Sequence, residues 1–253
     1  MENPRVGFVI GGAQKAGTTA LAHYLAQHPV LALPRTKEAH VFDAPGFVDG
    51  SSVRDVDAMY QAHFDPDPAK ERLHGDATPI YMFHPKLVKR IASYNPAMKW
   101  ILILRHPVER AYSHYQMECR RGDEQWPFWA AMLFERWRLH GHRDDLSMAS
   151  PLRRHSYRAR GDYAAQLDVL YAHFPECQIL RLRSEALSST PVDVLSRIHD
   201  FLGVARMPIQ SFDRVFQGGY SPLTTTGARW RALTWLMRRE LAEARERYGL
   251  EWH

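Results

Sequence analysis

An apolar, β-branched run at residues 6–10 stops at the pair Gly11-Gly12, and Ala13-Gln14-Lys15-Ala16-Gly17-Thr18-Thr19 leads from there into a helical pattern. Strand, tight loop and helix N-terminus in that order gather backbone N–H groups and the positive end of a helix dipole around one point, a seat for a phosphate. Gly12 and Gly17 are spaced like the two glycines of a Walker loop, G-x-x-x-x-G-K-[ST]. Thr18 stands where that loop has its lysine, and the only lysine here, Lys15, comes earlier. A phosphate cradle with its cation displaced argues against an ordinary NTPase, and with the Walker lysine missing no Mg²⁺ is expected to be required.

The remaining pattern alternates. A helix is expected over 19–27, ending before Pro29 because the residue before proline avoids helical geometry. Short extended pieces follow at 30–33 and 73–75, with a weak helix at 53–64 that Pro66 and Pro68 end. A helix over 85–94 turns Leu87, Val88 and Ile91 inward. The unbroken apolar run Trp100-Ile101-Leu102-Ile103-Leu104 marks a strand over 99–104 buried on both faces, as in a parallel sheet. Helices at 108–120 and 163–174, a strand at 178–182, and closing helices at 192–202 and 229–248 complete the chain. Strands separated by helices imply an α/β fold in three layers, a central, mainly parallel sheet flanked by helices. No repeat or low-complexity linker interrupts it, so one domain over 1–253 is expected.

Ligands of such sheets bind beyond the carboxyl ends of the strands. The loop after the buried strand carries Arg105, then Pro107 at the first turn of a helix, then Ser113 further along that helix. A strand-end arginine and a helix hydroxyl suit a second phosphate, although an arginine there also suits an ion pair capping the sheet. Two phosphate seats on neighbouring loops imply a nucleoside phosphorylated at both ends. The net charge of +5 suits such an anion, whereas no basic tract or basic–aromatic repeat points to nucleic acid. On these residues alone, a nucleotide kinase and a non-catalytic nucleotide-binding protein also remain open.

The N-terminal residues Glu2-Asn3-Pro4 lack the charged and apolar regions of a signal peptide, and no run reaches the 18 or so apolar residues of a membrane span. With two cysteines, Cys119 and Cys177, a disulfide framework is not expected. A cytoplasmic location follows as the expectation. Oligomeric state is not legible.

Gln14-Lys15-Ala16-Gly17-Thr18-Thr19 resembles the loop that holds the 5′-phosphosulfate in PAPS-dependent sulfotransferases, and Arg105-x-Pro-x-x-Arg110-x-x-Ser113-x-Tyr115 is similar to their 3′-phosphate motif. The heparan sulfate branch and its bacterial relatives are the nearest in kind. Residues 36–43, Thr-Lys-Glu-Ala-His-Val-Phe-Asp, resemble the Lys-Glu-x-His-Phe-Phe-Asp segment of the heparan 3-O-sulfotransferases. Residues 76–81, Asp-Ala-Thr-Pro-Ile-Tyr, resemble their Lys-Ser-Pro-x-Tyr element, and Gly161-x-Tyr163 with Gln166-Leu167 resembles a bacterial motif.

The resemblance implies PAPS as donor, PAP as product and a carbohydrate, glycolipid or small-metabolite hydroxyl as acceptor. Lys15 would contact the 5′-phosphate and the oxygen bridging it to the sulfuryl group, with Ala16, Gly17, Thr18 and Thr19 around that phosphate. Arg105 and Ser113 would hold the 3′-phosphate. Glu38 would be the general base, with His40 and Asp43 beside it, and His40 equally suits a role orienting Glu38.

Two departures stand out. Ala77 occupies the position of the family's lysine, for which Lys37 is a substitute by position. The family's late basic loop has its nearest match in Gln217-Gly218-Gly219-Tyr220, which keeps glycines and an aromatic without lysines; Gly219 and Tyr220 would touch the donor. Between 124 and 157 the aromatics Trp126, Phe128, Trp129, Trp137 and Tyr157, with Arg153, Arg154 and His155, suit an acceptor pocket or a core. His140, His142, Asp144 and Asp145 read as a solvated polar loop, and the C-terminal helix as core-packing.

Overall fold

The computed structural model describes residues 5–65, 72–208 and 219–252. They fall into two compact units, one of Met1–Leu104 with Asp168–Gln217, the other of Arg105–Leu167 with Gly218–His253. In chain order the first unit contributes β1 (Val6–Gly12), α1 (Thr18–Leu25), β2 (Leu31–Ala32), α2 (Val53–Gln61), β3 (Leu73–Asp76), α3 (Pro85–Tyr94) and β4 (Lys99–Leu104). The second supplies α4 (Pro107–Arg121), α5 (Phe128–Leu133), α6 (Glu135–Arg138) and α7 (Pro151–His155). The next helix, α8 (Tyr163–Tyr171), spans the change of unit in sequence; β5 (Ile179–Arg183), α9 (Ser184–Ser189) and α10 (Pro191–Leu202) belong to the first. Two more helices, α11 (Gly227–Leu236) and α12 (Arg238–Tyr248), belong to the second.

In the first unit the strands form one sheet in the order β2-β3-β1-β4-β5, and every pairing is parallel. This is the α/β architecture expected from the alternating pattern. Trp100 through Leu104 are buried, as the apolar run requires, and each such side chain removed from water stabilises the unit by roughly 1.5–3 kcal/mol. The loops that follow β1, β2 and β3 leave neighbouring strands at the same, carboxyl edge of the sheet. Those loops carry Lys15, Glu38 and residues 77–82 respectively.

The second unit is built around Val108 and Ala111 of α4, Phe128, Ala131 and Met132 of α5, Tyr157, and Leu233 and Met237 at the C-terminal end. Trp230, Leu236 and Leu241 pack against this cluster, so the C-terminal segment does pack on a core. It is two helices rather than the single one expected at 229–248. The chain turns at the fully buried Met237, with φ −101° and ψ 15°. Hydrogen bonds still cross the turn, from Met237 N to Leu233 O (3.2 Å) and from Leu241 N to Met237 O (3.0 Å). No helix among the described residues is long and apolar enough to cross a membrane.

Candidate functional site

The loop between β1 and α1 is fixed at its start by Ala13 N, which donates to Ile103 O of β4 at 2.6 Å. Ala16 N then closes a turn onto Ala13 O at 3.1 Å. A Cβ on Gly12 would lie 2.0 Å from Met82 Sδ, so any side chain there would displace Met82. Gly17 caps α1 in the left-handed region, φ 107°, and offers no side chain to its amides. The first amides of an α-helix lack intrahelical partners, and the N-cap residue gives these no side-chain bond. Thr18 is buried and Thr19 exposed, while Lys15 sits half-buried with φ 71° at the apex of the turn.

The loop after β2 brings Glu38, His40 and Asp43 into one chain of contacts. Glu38 Oε1 accepts from Lys37 Nζ at 2.5 Å, and Glu38 Oε2 lies 3.2 Å from His40 Nε2. The other imidazole nitrogen, Nδ1, lies 2.8 Å from Oδ2 of the buried Asp43. A ring with a carboxylate oxygen at each nitrogen satisfies both only as the doubly protonated cation. Burial opposes that charge, but the bonds to Asp43 and Glu38 outweigh it and lift the His40 pKa to about 9. For Glu38, burial would raise the pKa; the His40 bond and the Lys37 charge win and hold it below the usual range. Lys37 and His40 have φ of 67° and 53°, a region that costs a non-glycine residue roughly 1–3 kcal/mol.

That path is held from the next loop. Burial pushes the carboxyl pKa of Asp76 up, while bonds from Thr78 Oγ1, Tyr81 OH, Ala39 N and Tyr60 OH hold it partly down. Ala77, where the resemblance calls for lysine, is buried, and its N–H donates to Lys37 O at 3.3 Å. The residue bonded to Ala77 is thus itself a lysine, Lys37, with its Nζ on Glu38.

In the second unit, Arg105 Nε donates to Glu109 Oε2 at 3.0 Å, the ion pair that the sequence left open as an alternative. Tyr163 OH donates to Arg105 O at 2.9 Å, which gives the Gly161-x-Tyr163 motif a definite task. Gln166 Nε2 ties the preceding turn by donating to Asp162 O at 2.8 Å and Arg160 O at 3.2 Å. Arg110 is fully buried and donates to Tyr157 O, a structural role within the family-like motif. Ser113 is buried on α4 and its Oγ accepts from Tyr220 OH at 2.6 Å. Gly219 has φ 58°, and the Arg120 guanidinium lies 5.7 Å from the Tyr220 ring. Gln217 and Gly218 of that segment, like Pro66 and Pro68, lie outside the described residues.

Phe128 and Tyr157 are core, whereas Trp126, Trp129 and Trp137 are exposed, the first and last stacked at 6.3 Å and 14°. His142 and Asp145 are 3.9 Å apart near the surface. Sequence reasoning missed what Asp76, Thr78, Tyr81 and Tyr163 do; their motifs were visible, but their hydrogen bonds depend on strand order.

Comparison with known proteins assigns the class: the chain belongs to the sulfotransferase domain family, whose model matches residues 7–216. It is 31% identical over 200 residues to mouse heparan sulfate glucosamine 3-O-sulfotransferase 3B1, covering 79% of this chain and 46% of that protein. It is 30% identical over 205 residues to mouse bifunctional heparan sulfate N-deacetylase/N-sulfotransferase 4, covering 78% of this chain and 22% of that protein. The chain therefore spans less than half the length of these curated relatives. The crystal structure of a sulfotransferase from Alicyclobacillus acidocaldarius aligns with a TM-score of 0.74 at 29% identity, over 98% of this chain and 97% of that one. The fold is that of sulfotransferases.

Proposed function

We propose that this sulfotransferase takes PAPS as its donor and moves the sulfuryl group in line to an acceptor hydroxyl, with Glu38 as general base. The observation that carries the reading is the Lys37–Glu38–His40–Asp43 chain, which keeps Glu38 ionised at neutral pH and fixes its direction. An ionised carboxylate in reach of a hydroxyl receives its proton directly, a contribution on the order of 10²–10⁴ in rate. The lowered pKa costs some basicity, in exchange for a base that is always in the right protonation state. His40, backed by Asp43, orients that carboxylate.

PAPS fits the residues present. The uncapped amides at the start of α1 suit the 5′-phosphate, with Ala16, Gly17, Thr18 and Thr19 around it. Lys15 sits beside them and stabilises negative charge developing on the leaving phosphate, an effect worth on the order of 10²–10³. Arg105 and Ser113 are assigned to the 3′-phosphate, with Gly219 and Tyr220 beside Ser113. PAPS supplies the sulfuryl group; position and charge compensation are the protein's part, by analogy with phosphoryl transfer. No metal is assigned a role, and the acceptor is a carbohydrate, glycolipid or small-metabolite hydroxyl. Residues 1–253 are taken as one sulfotransferase domain, in keeping with a family match running through both units.

The test is thermal unfolding with PAP in the presence of EDTA. PAP should raise the Tm of the wild-type protein without metal, and Lys15→Ala should lose the shift or, in a screen of hydroxyl acceptors with labelled PAPS, the turnover. A shift that appears only for ATP with Mg²⁺ would overturn the donor assignment.

A further inference from the structure

We propose that residues 76–81 are the positioning element of the reaction: they latch the backbone of residues 37–41 so that Glu38 and His40 face each other in working geometry, with Asp76 setting the polarity of the latch. The inference rests on the reading of Glu38 as the base and extends it to residues that touch no reacting atom.

The two segments are joined at successive positions. Lys37 O accepts from Ala77 N at 3.3 Å. Ala39 N donates to Asp76 Oδ1 at 3.2 Å, His40 N to Thr78 Oγ1 at 3.4 Å, and Val41 N to the Tyr81 hydroxyl oxygen at 3.1 Å. Three consecutive amides of the loop are thus taken up by one neighbouring segment. Together with the bond at Lys37 O they bracket Glu38, and they include His40, which with Lys37 is one of the two residues of this loop held in the left-handed region. Without partners for those amides, nothing in the local sequence favours that path, since neither residue is glycine.

Asp76 decides which way the bonds run. An ionised carboxylate only accepts. Thr78 Oγ1 spends its proton on Asp76 Oδ1 at 2.7 Å, and Tyr81 spends its own on Oδ2 at 2.8 Å, beside Tyr60 at 3.0 Å. Both hydroxyls therefore turn lone pairs, not protons, toward the amides of His40 and Val41. Asparagine at 76 would bring amide protons to meet hydroxyl protons, so the usual isosteric exchange is not conservative here. The reach of the latch follows from chain order: it fixes residues 39, 40 and 41 on one side and 37 on the other, and Glu38 lies between. The 77–82 segment is itself tied to the sheet, with Met82 N donating to Gly11 O at 3.0 Å.

The groups facing His40 are Glu38 and Asp43 on its own loop, Lys37 through Glu38, and Asp76 through Thr78. Its titration therefore reports whether the loop keeps its shape. The experiment follows the His40 ring by NMR in ¹³C-histidine-labelled protein without nucleotide, the resonance being identified by its loss in His40→Gln. Wild-type protein should titrate near pH 9. Thr78→Val and Tyr81→Phe each remove one hydroxyl of the latch and should lower that midpoint by roughly one unit or more, toward that of a free histidine. Tyr94→Phe is the matched control: its hydroxyl is also buried, donates to Asp57 Oδ1 at 2.6 Å and accepts from Val6 N at 2.9 Å, but touches none of residues 37–41. It should leave the midpoint in place. Asp76→Asn should behave like the latch variants if it folds, as judged by a retained PAP-induced rise in Tm. A midpoint unmoved in both Thr78→Val and Tyr81→Phe, or moved as far in Tyr94→Phe, overturns the latch. The titration needs neither donor nor acceptor, so failure of the base assignment shows separately, as turnover retained by Glu38→Gln.

Discussion

His40 Nδ1 lies 2.8 Å from Oδ2 of Asp43, a carboxylate fully enclosed by the protein, while the opposite nitrogen of the same ring faces Glu38. An imidazole between two carboxylates gains more from its charge in the folded state than in the unfolded chain. With the folded pKa raised to about 9 from an ordinary 6.5, the charged ring contributes stability that is fully present below about 6.5 and is lost as pH rises through about 9. The gap in Tm between wild type and His40→Gln should therefore be widest near pH 6 and narrow steadily to pH 9.5. Thermal unfolding across that range checks it, and a gap that widens with pH would contradict the protonated ring.

Ser113 and Tyr220 make a second, independent prediction. Because Tyr220 donates to Ser113 Oγ at 2.6 Å, the serine's own proton is free to point elsewhere, as an anion-binding hydroxyl requires. Hydrogen bonds to charged groups are worth about 1.5–3 kcal/mol, so Ser113→Ala should weaken PAP binding roughly tenfold or more by calorimetry. Tyr220→Phe removes only the orienting donor and should cost less. Equal affinity in Ser113→Ala and wild type would remove Ser113 from the 3′-phosphate site.

The close passage of Gly12 past Met82 sets a stability prediction. A methyl at Gly12 would meet Sδ at 2.0 Å and Cγ at 2.5 Å, so the buried Met82 side chain would have to shift within a packed core. Overpacking of this kind costs typically 1–3 kcal/mol. Gly12→Ala should lower the Tm accordingly, and adding Met82→Ala should recover part of the loss; no recovery in the double variant would place the strain elsewhere.

What could be read before the structure depended on how local the cause was. Pro85 at a helix start and the run Trp100–Leu104 gave α3 and β4 their observed bounds, because first-turn proline and a doubly buried strand leave marks within a few residues. The Lys15 loop was legible for the same reason: its glycines answer to a turn and a close backbone. The segment 124–157 was not. Its helices α5, α6 and α7 are too short for periodicity and are held by two buried carboxylates. Glu124 takes Arg138 Nη1 at 2.6 Å and Tyr157 OH at 2.8 Å, and Glu135 takes the amides of Arg158 and Ala159. Those partners are distant in sequence. The break at Met237 likewise answers to burial rather than to any helix-stopping residue. In the candidate site, Glu38, His40 and Asp43 stood out by family pattern, but the bonds to their loop from Asp76, Thr78 and Tyr81 depend on β3 lying beside it.

The central claim is that Glu38 takes the acceptor's proton, and Glu38→Gln tests it most directly, since it keeps the shape and removes the base. Metal-free PAP should raise the Tm of Glu38→Gln as much as that of wild type, while sulfuryl transfer from labelled PAPS should fall on the order of 10²–10⁴-fold. Normal nucleotide binding with turnover within a few-fold of wild type would contradict the account.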